Sequence, residues 1–462
     1  MKDGKPLYVA FAMLAGLIFG SGATHVLAAS SPAASLKNFS QVAGIIQEKC
    51  MACHTLNYEL PFYAAIPGIR QIIEKDYNDG IRAINLDEEF GKSASGKPVS
   101  EPTLAKMEWV TANETMPPQK FTAVHWGSRV SAQERSAVLD WVKSSRAAHY
   151  ATGTAAPDKA DEPVQPLPDA LPTDAKKVAL GQKLFQDKRL SGDNAVACAT
   201  CHPLDKAGMD GLRFAEGIGK QVGGVNAPTV FNAVFNVRQF WDGRAADLRE
   251  QAGGPPFNPI EMGSKDWEEI IGKLSGDEAL TAEFKAVYPE GYTGANIEDA
   301  VAEYEKTLIT PDNRFDQWLK GKNNAISQTE AAGYERFKAY RCASCHVGKS
   351  LGGRSFEYMD LKKDYFADRA SSLDSDAGLG GFTKKESELH KFKVPNLRNI
   401  ELTAPYLHDG THTTLDKTVE TMGIYLAGME IPQQHRELIV AFLRTLTGTY
   451  QGRQFEGRVT PQ

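Results

Sequence analysis

The sequence predicts a mostly α-helical protein of three small units, the last two fused into one body. Three observations predict it. The motif C-x-x-C-H occurs three times, as Cys50-Met51-Ala52-Cys53-His54, Cys198-Ala199-Thr200-Cys201-His202 and Cys342-Ala343-Ser344-Cys345-His346. A short amphipathic stretch with a small residue on its packing face leads into each motif: Ala43-Gly44-Ile45-Ile46, Leu180-Gly181 through Leu184-Phe185, and Ala332-Gly333-Tyr334 through Phe337. No long alternating strand pattern occurs in the 462 residues.

The motif spacing carries chemistry. In C-x-x-C-H two thiols form thioethers to the vinyl groups of a porphyrin, and the histidine that follows binds iron from below. A lone C-x-x-C would also suit a zinc site or a dithiol redox pair. Here all six cysteines fall in such motifs and each motif ends in His, which selects covalently bound haem c, three per chain. A disulfide framework is not expected of so long a chain with so few cysteines. The three units are therefore expected to be cytochrome c-like.

At about 100–200 residues per domain the chain should hold two or three domains. An apolar fraction of 42% allows packed cores, and a net charge of −6 makes nucleic acid an unexpected partner. The N-terminus reads as an export segment: Lys2 and Lys5 precede an apolar run from Leu7 to Phe19, with small residues through Ala29. Val26-Leu27-Ala28 offers a cleavage site, but the run is long enough to span a bilayer. We expect an uncleaved inner-membrane anchor over 1–30 and a periplasmic body. The first haem unit is expected over 31–150. An Ala-, Pro- and Asp-rich extended linker follows over 151–175. The second unit is placed over 176–326 and the third over 327–462. Further helices are expected over Ser131–Ala148, Ile297–Leu308 and Gln433–Leu446.

The sixth iron ligand decides what each haem does: His/Met ligation closes the iron for electron transfer and raises its potential, whereas open iron binds substrate. Met116, before Pro117-Pro118, is the expected ligand in the first unit, with Met51 and Met107 as competitors. In the third unit Met422 and Met429 lie at a similar distance from their motif. Seven histidines stand outside the motifs, His25, His125, His149, His390, His408, His412 and His435, and most are expected to be surface or satisfied core residues.

Four further stretches carry a resemblance. Ala227-Pro228-Thr229-Val230-Phe231-Asn232, Phe240-Trp241-Asp242-Gly243-Arg244-Ala245, Leu308-Ile309-Thr310-Pro311 and Leu402-Thr403-Ala404-Pro405-Tyr406 make residues 176 to 450 resemble the bacterial diheme cytochrome c peroxidases. The extra haem unit behind a membrane segment is similar to their triheme subgroup, which includes quinol peroxidases. The resemblance implies that the haem on Cys198, Cys201 and His202 is peroxidatic. The haem on Cys342, Cys345 and His346 would be the high-potential donor, with Met422 as sixth ligand. Trp241 would be the electron bridge, Gln251 and Glu261 would line the peroxide pocket, and Asn226, Thr403 and Pro405 would bind a calcium ion through oxygen donors. It further implies hydrogen peroxide as substrate, a quinol or cytochrome c as donor, and admits a homodimer.

The residues are compatible with those roles. Splitting the O–O bond moves a proton from the near oxygen to the leaving one, which a carboxylate in a dry pocket does as base and then acid. Glu261, in Asn258-Pro259-Ile260-Glu261-Met262, sits in a Pro-containing loop and not on a solvated helix face. One position departs from the family. Many diheme peroxidases block the peroxidatic iron with a histidine, where this chain has Ile218 between Gly217 and Gly219. Isoleucine offers iron no donor atom, and Lys220 must lose its proton to do so, which favours open iron at His202. Two other readings remain: a multihaem electron carrier with every iron closed, against which Ile218 argues, and a diheme oxidase of a protein side chain, which would lack the methionine at 422. Three covalent haems per chain are expected. A pyridine haemochrome assay on denatured protein that returned two, or haem extractable by acid-acetone, would overturn the reading.

Overall fold

The computed structural model describes residues 39–94, 97–369 and 371–455, so the export segment lies outside the described residues. Within them the chain is mostly helical, with two small antiparallel sheets, Phe356–Tyr358 against Lys391–Lys393 and Thr449–Tyr450 against Arg453–Gln454. This is the mostly α architecture that the sequence predicts. No described helix is long and apolar enough to cross a membrane.

Each haem motif is presented by a helix pair. In the first unit the helix Phe39–Lys49 packs on Ala132–His149, which is crossed in turn by Glu101–Ala112. Val42, Ile46, Leu104, Trp141 and Val142 close this core. Ser131 caps the long helix with a reciprocal box: its Oγ accepts from the Glu134 amide, and Glu134 Oε2 accepts from the Ser131 amide at 2.7 Å. In the second unit Ala175–Gln186 lies against Gly294–Glu305, with Leu184, Phe185, Phe231, Phe284 and Tyr304 buried around them. In the third, Gln328–Ala339 lies against Gln433–Leu443 over Phe315, Tyr334, Phe337 and Phe442. The helix expected to run on to Leu446 ends at Leu443 and tightens into a 3-10 turn over Arg444–Leu446.

The small residue ahead of each motif works in two units and not in the first. A Cβ on Gly181 would sit 1.9 Å from the Ala300 carbonyl oxygen, and one on Gly333 would sit 2.0 Å from that of Leu438. These glycines let two helix backbones touch. Gly44 is exposed, with nothing near its missing Cβ. Val42, Ile45 and Ile46 make the packing face there instead.

The last two units share their cores across the chain. The helix Arg314–Leu319 precedes the third motif and gives Phe315 and Leu319 to the third core, while the C-terminal hairpin returns Tyr450 to the second, 5.0 Å from the Phe231 ring. The Ala/Pro/Asp-rich stretch is a strap packed on the third unit. The Ala156 amide donates to Leu319 O, the Gly348 amide to Pro163 O, and the Leu167 amide to the Asp316 carboxylate, with Val164 and Leu167 fully buried.

The first unit docks on the third. Lys106 donates to both oxygens of Glu357, at 2.8 and 2.9 Å, and to Ala83 O. Arg82 pairs with Asp360 at 2.7 Å, Glu101 with Arg354 at 3.1 Å, and the Arg341 guanidinium lies 4.7 Å from the Trp109 ring. These contacts fix one docking geometry. The helix crossings yield a prediction. Gly181→Ala and Gly333→Ala should each destabilise by about 1–3 kcal/mol through overpacking, whereas Gly44→Ala should be neutral or stabilise by up to about 1 kcal/mol, the helix-propensity difference. Denaturant unfolding of the three variants checks the contrast.

Candidate active site

The three motifs fold alike. In the second and third a tight turn returns the histidine amide to the carbonyl of the first cysteine, His202 N to Cys198 O at 3.0 Å and His346 N to Cys342 O at 2.9 Å. Each ring then binds a backbone carbonyl through Nδ1: His54 to Ile84 O at 3.1 Å, His202 to Gly208 O at 3.0 Å, and His346 to Leu351 O at 2.9 Å. A carbonyl only accepts, so Nδ1 must carry the proton and Nε2 keeps its lone pair. Burial pushes all three imidazoles below their usual pKa, keeping them neutral and competent as ligands.

The thiols are suited to attachment and not to exchange. Burial pushes Cys50, Cys198, Cys342 and Cys345 up to about 12 and Cys201 up to about 11. Dithiol redox sites need the opposite, a thiolate near neutral pH. Among the described residues no cluster of three His, Cys, Asp or Glu side chains could hold a bare metal ion.

Glu261 belongs to the second motif. Its loop is organised by Asn258, whose carbonyl accepts from the amides of Glu261, Met262 and Gly263 and whose Nδ2 donates to Glu261 Oε1 at 2.8 Å. The Glu261 charge is felt at both Cys198 and Cys201, which places the carboxylate in the neighbourhood of the second motif. Burial raises its pKa, while the Arg244 guanidinium and the Asn258 amide pull it down. Ile218 packs against this loop. Its amide donates to Glu261 O at 2.8 Å, and its side chain lies against Gly192 and Gly263. Lys220 is exposed. Gln251 is half-buried in the short helix Leu248–Ala252, capped by Asp247.

The other two motifs share one largely apolar cavity of about 340 Å³, lined by Cys50 and His54 with Met116, and by Cys342, Cys345 and His346 with Met422. Met51 instead fills the first core, Met107 serves both core and cavity, and Met429 does not line the cavity. Trp241 also lines the cavity, packed in a cluster with Met422, Met359 and Phe392, and its Nε1 donates to Asn226 O at 2.8 Å. Asn226, Thr403 and Pro405 line the same cavity. The Asn226 amide donates to Leu212 O and Arg213 O, which leaves its own Oδ1 as an acceptor, a donor type that suits a hard cation.

The histidines outside the motifs are mostly engaged elsewhere. His125 bonds Tyr63, His390 and His408 pair with Asp360 and Asp376, His412 bonds Thr421, and His435 bonds Tyr340, while His25 lies outside the described residues. Two features escaped sequence reasoning. Asn258 was visible only as part of a loop. The Lys106–Glu357 pair joins residues 251 apart, and nothing local signals it.

Helical cores closed around neutral, ligand-ready Cys-His turns define a c-type haem protein. A di-haem cytochrome c peroxidase family matches residues 175–324, and a haem-binding domain family matches 14–144. The cytochrome c peroxidase of Escherichia coli (strain K12) is 50% identical over 419 residues, covering 90% of each chain. The cytochrome c551 peroxidase of Nitrosomonas europaea is 43% identical over 291 residues, 63% of this chain and 85% of that one. Among solved structures, a MauG-like protein associated with microbial copper homeostasis superposes with a TM-score of 0.54 at 26% identity, over 62% of this chain and 93% of that one. The chain belongs to the di-haem cytochrome c peroxidase family and is a haem peroxidase, carrying a haem-binding domain ahead of the family body.

If Glu261 is the base that moves the peroxide proton, Glu261→Gln, which keeps shape and hydrogen bonding but removes the charge, should lower peroxidase turnover by about 10²–10⁴-fold with haem loading intact. Arg244→Gln removes the charge that stabilises the carboxylate. The Glu261 pKa then rises further, and the acid limb of the pH–rate profile should move to higher pH. Near-normal turnover in fully loaded Glu261→Gln, or an unmoved limb in Arg244→Gln, counts against the assignment.

Proposed function

We propose that this chain is a triheme peroxidase, exported and held at the inner membrane by its N-terminal segment. It reduces hydrogen peroxide to two waters with two protons and two electrons from a quinol or a c-type cytochrome. The observation that carries the reading is the shared cavity: the pockets of His54 and His346 are continuous, and Trp241 of the second unit lines the same space. Electrons enter at the first unit and reach the second by way of the third.

The residues fit the groups this requires. Cys50, Cys53 and His54 with Met116, and Cys342, Cys345 and His346 with Met422, would supply two thiols, one histidine and one methionine each, the set for high-potential haem. Cys198, Cys201 and His202 hold the third group, for which Ile218 provides no sixth ligand. Bound there, haem supplies the redox chemistry at peroxide. The chain supplies the protons and the geometry. Glu261 takes a proton from the near oxygen of peroxide and returns it to the leaving one. Asn258 orients that carboxylate, Gln251 completes the pocket, and burial keeps competing water out. Trp241, fixed by its Nε1 bond to Asn226 O, bridges the two fused units. Calcium on Asn226 Oδ1 and the carbonyls of Thr403 and Pro405 would tie the same junction together. Met422 beside His346 favours this reading over oxidation of a protein side chain.

Steady-state peroxide consumption with a quinol and a reduced cytochrome c offered separately identifies the donor. Met116→Ala should impair turnover with that donor, while a small artificial reductant that reaches the inner haems directly should still support it. Equal loss with both kinds of donor would remove the first unit from the electron path.

A further inference from the structure

The cavity that joins the first and third motifs is lined by three cationic side chains besides its apolar walls: Lys106, Arg341 and Lys393. Two have evident structural partners. Lys106 is held by both oxygens of Glu357, and Arg341 lies over the Trp109 ring. Lys393 has none. It is 5% exposed, and among the described residues its ammonium has no hydrogen-bond or ion-pair partner. No carboxylate acts on it: burial alone lowers its pKa, to about 8. A buried, unpaired ammonium is costly, and proteins retain one where something anionic neutralises it.

The position of Lys393 says what that anion is. The residue ends the strand Lys391–Lys393, and its amide donates to Trp241 O at 2.8 Å. It lines the cavity together with His346 and Met422, and Val394 and Pro395 follow it along the same wall. The group that enters this cavity to be held by Cys342, Cys345 and His346 is a porphyrin bearing two propionates. We propose that Lys393 binds a propionate of that haem, on the Trp241 side, as a positioning residue. This rests on the haem assignment made above. The ammonium offsets negative charge that would otherwise favour ferric over ferrous iron, so it helps to keep this haem the high-potential one.

The test is a redox titration of the holoenzyme, with haem content measured beside it. Lys393→Met keeps the length and apolar stem but removes the charge. The potential of the haem at His346 should fall, on the order of a tenfold change in the reduction equilibrium, which is 59 mV for a one-electron couple. The potential of the first unit's haem should stay put, and Lys393→Arg should restore the wild-type value. Lost haem at the third motif in Lys393→Met, rescued by Lys393→Arg, supports the same contact. An unchanged potential in fully loaded Lys393→Met, an equal shift at all three haems, or failure of both variants to load haem overturns the proposal. A wild-type protein with fewer than three haems would instead indict the haem assignment itself.

Discussion

The hydrogen bond from each motif histidine to a backbone carbonyl is the constraint on which the rest of the structure hangs. It settles the tautomer, leaves Nε2 with its lone pair free and ties the ring to the backbone that walls its pocket. For His202 and His346 the acceptor is a few residues on, Gly208 and Leu351, so the loop after the motif must curl back tightly. For His54 the acceptor is Ile84, at the end of the helix Ile69–Ala83. That helix comes close enough for a Cβ on Gly80 to fall 2.5 Å from Cys53 O. Burial follows from these closures, and burial is what keeps the imidazoles neutral and the thiols protonated. One local bond thus prepares both halves of the haem attachment chemistry.

The interface between the first and third units shows the cost of joining two such pockets. Lys106 and Glu357 are both largely buried, at 17% and 7% side-chain exposure. Desolvating such a pair consumes much of what its attraction returns, so it contributes little net stability. What it does supply is register. Glu357 is fixed by Ser355 on its own unit, and Lys106 is fixed by Ala83 O on its own. An apolar contact would tolerate sliding, whereas this one sets where the two pockets open into each other. Arg341, next to Cys342, and Trp109 repeat the arrangement with a cation on an aromatic face.

What was legible in the sequence was local. The Cys-His turns, the helix beginning at Ser131, and the glycines at 181 and 333 all act within a few residues or at a single helix crossing, and pattern carries them. Gly44 had the same local signature, but no helix crosses the first unit there, and only the tertiary arrangement distinguishes the cases. The strap over 151–174 has a linker's composition, yet Val164 and Leu167 bury fully because Asp316 accepts from the Leu167 amide and Gly348 pairs with Pro163 O and the Gln165 amide on either side of Val164. Lys393 and the Lys106–Glu357 pair were illegible for the same reason. A buried cation is defined by its surroundings, and theirs are assembled from segments hundreds of residues away.

Ile218 joins the local and the long-range readings. Its substitution for a donor residue is visible in the sequence, but its consequence is not. The loop around it closes on itself, with Glu216 bridged to Val222 and the Gly217 amide donating to Gln221 O at 2.8 Å. A Cβ on Gly217 would sit 2.0 Å from Ile260 O, so this loop is also pressed against the one that carries Glu261. Isoleucine completes the seam, with its branched side chain between Gly192 and Gly263 and its amide on Glu261 O. On the proposed function, a loop that swings to uncover iron would not also be the wall that steadies the Glu261 carboxylate. In this chain the apolar seam favours the second task. Preorganisation of this kind stabilises a charge-moving step because the carboxylate need not be reoriented when the proton transfers. On the proposed function, the packing of this loop and the absence of a donor at 218 would act together, leaving the pocket set for peroxide before any electron arrives.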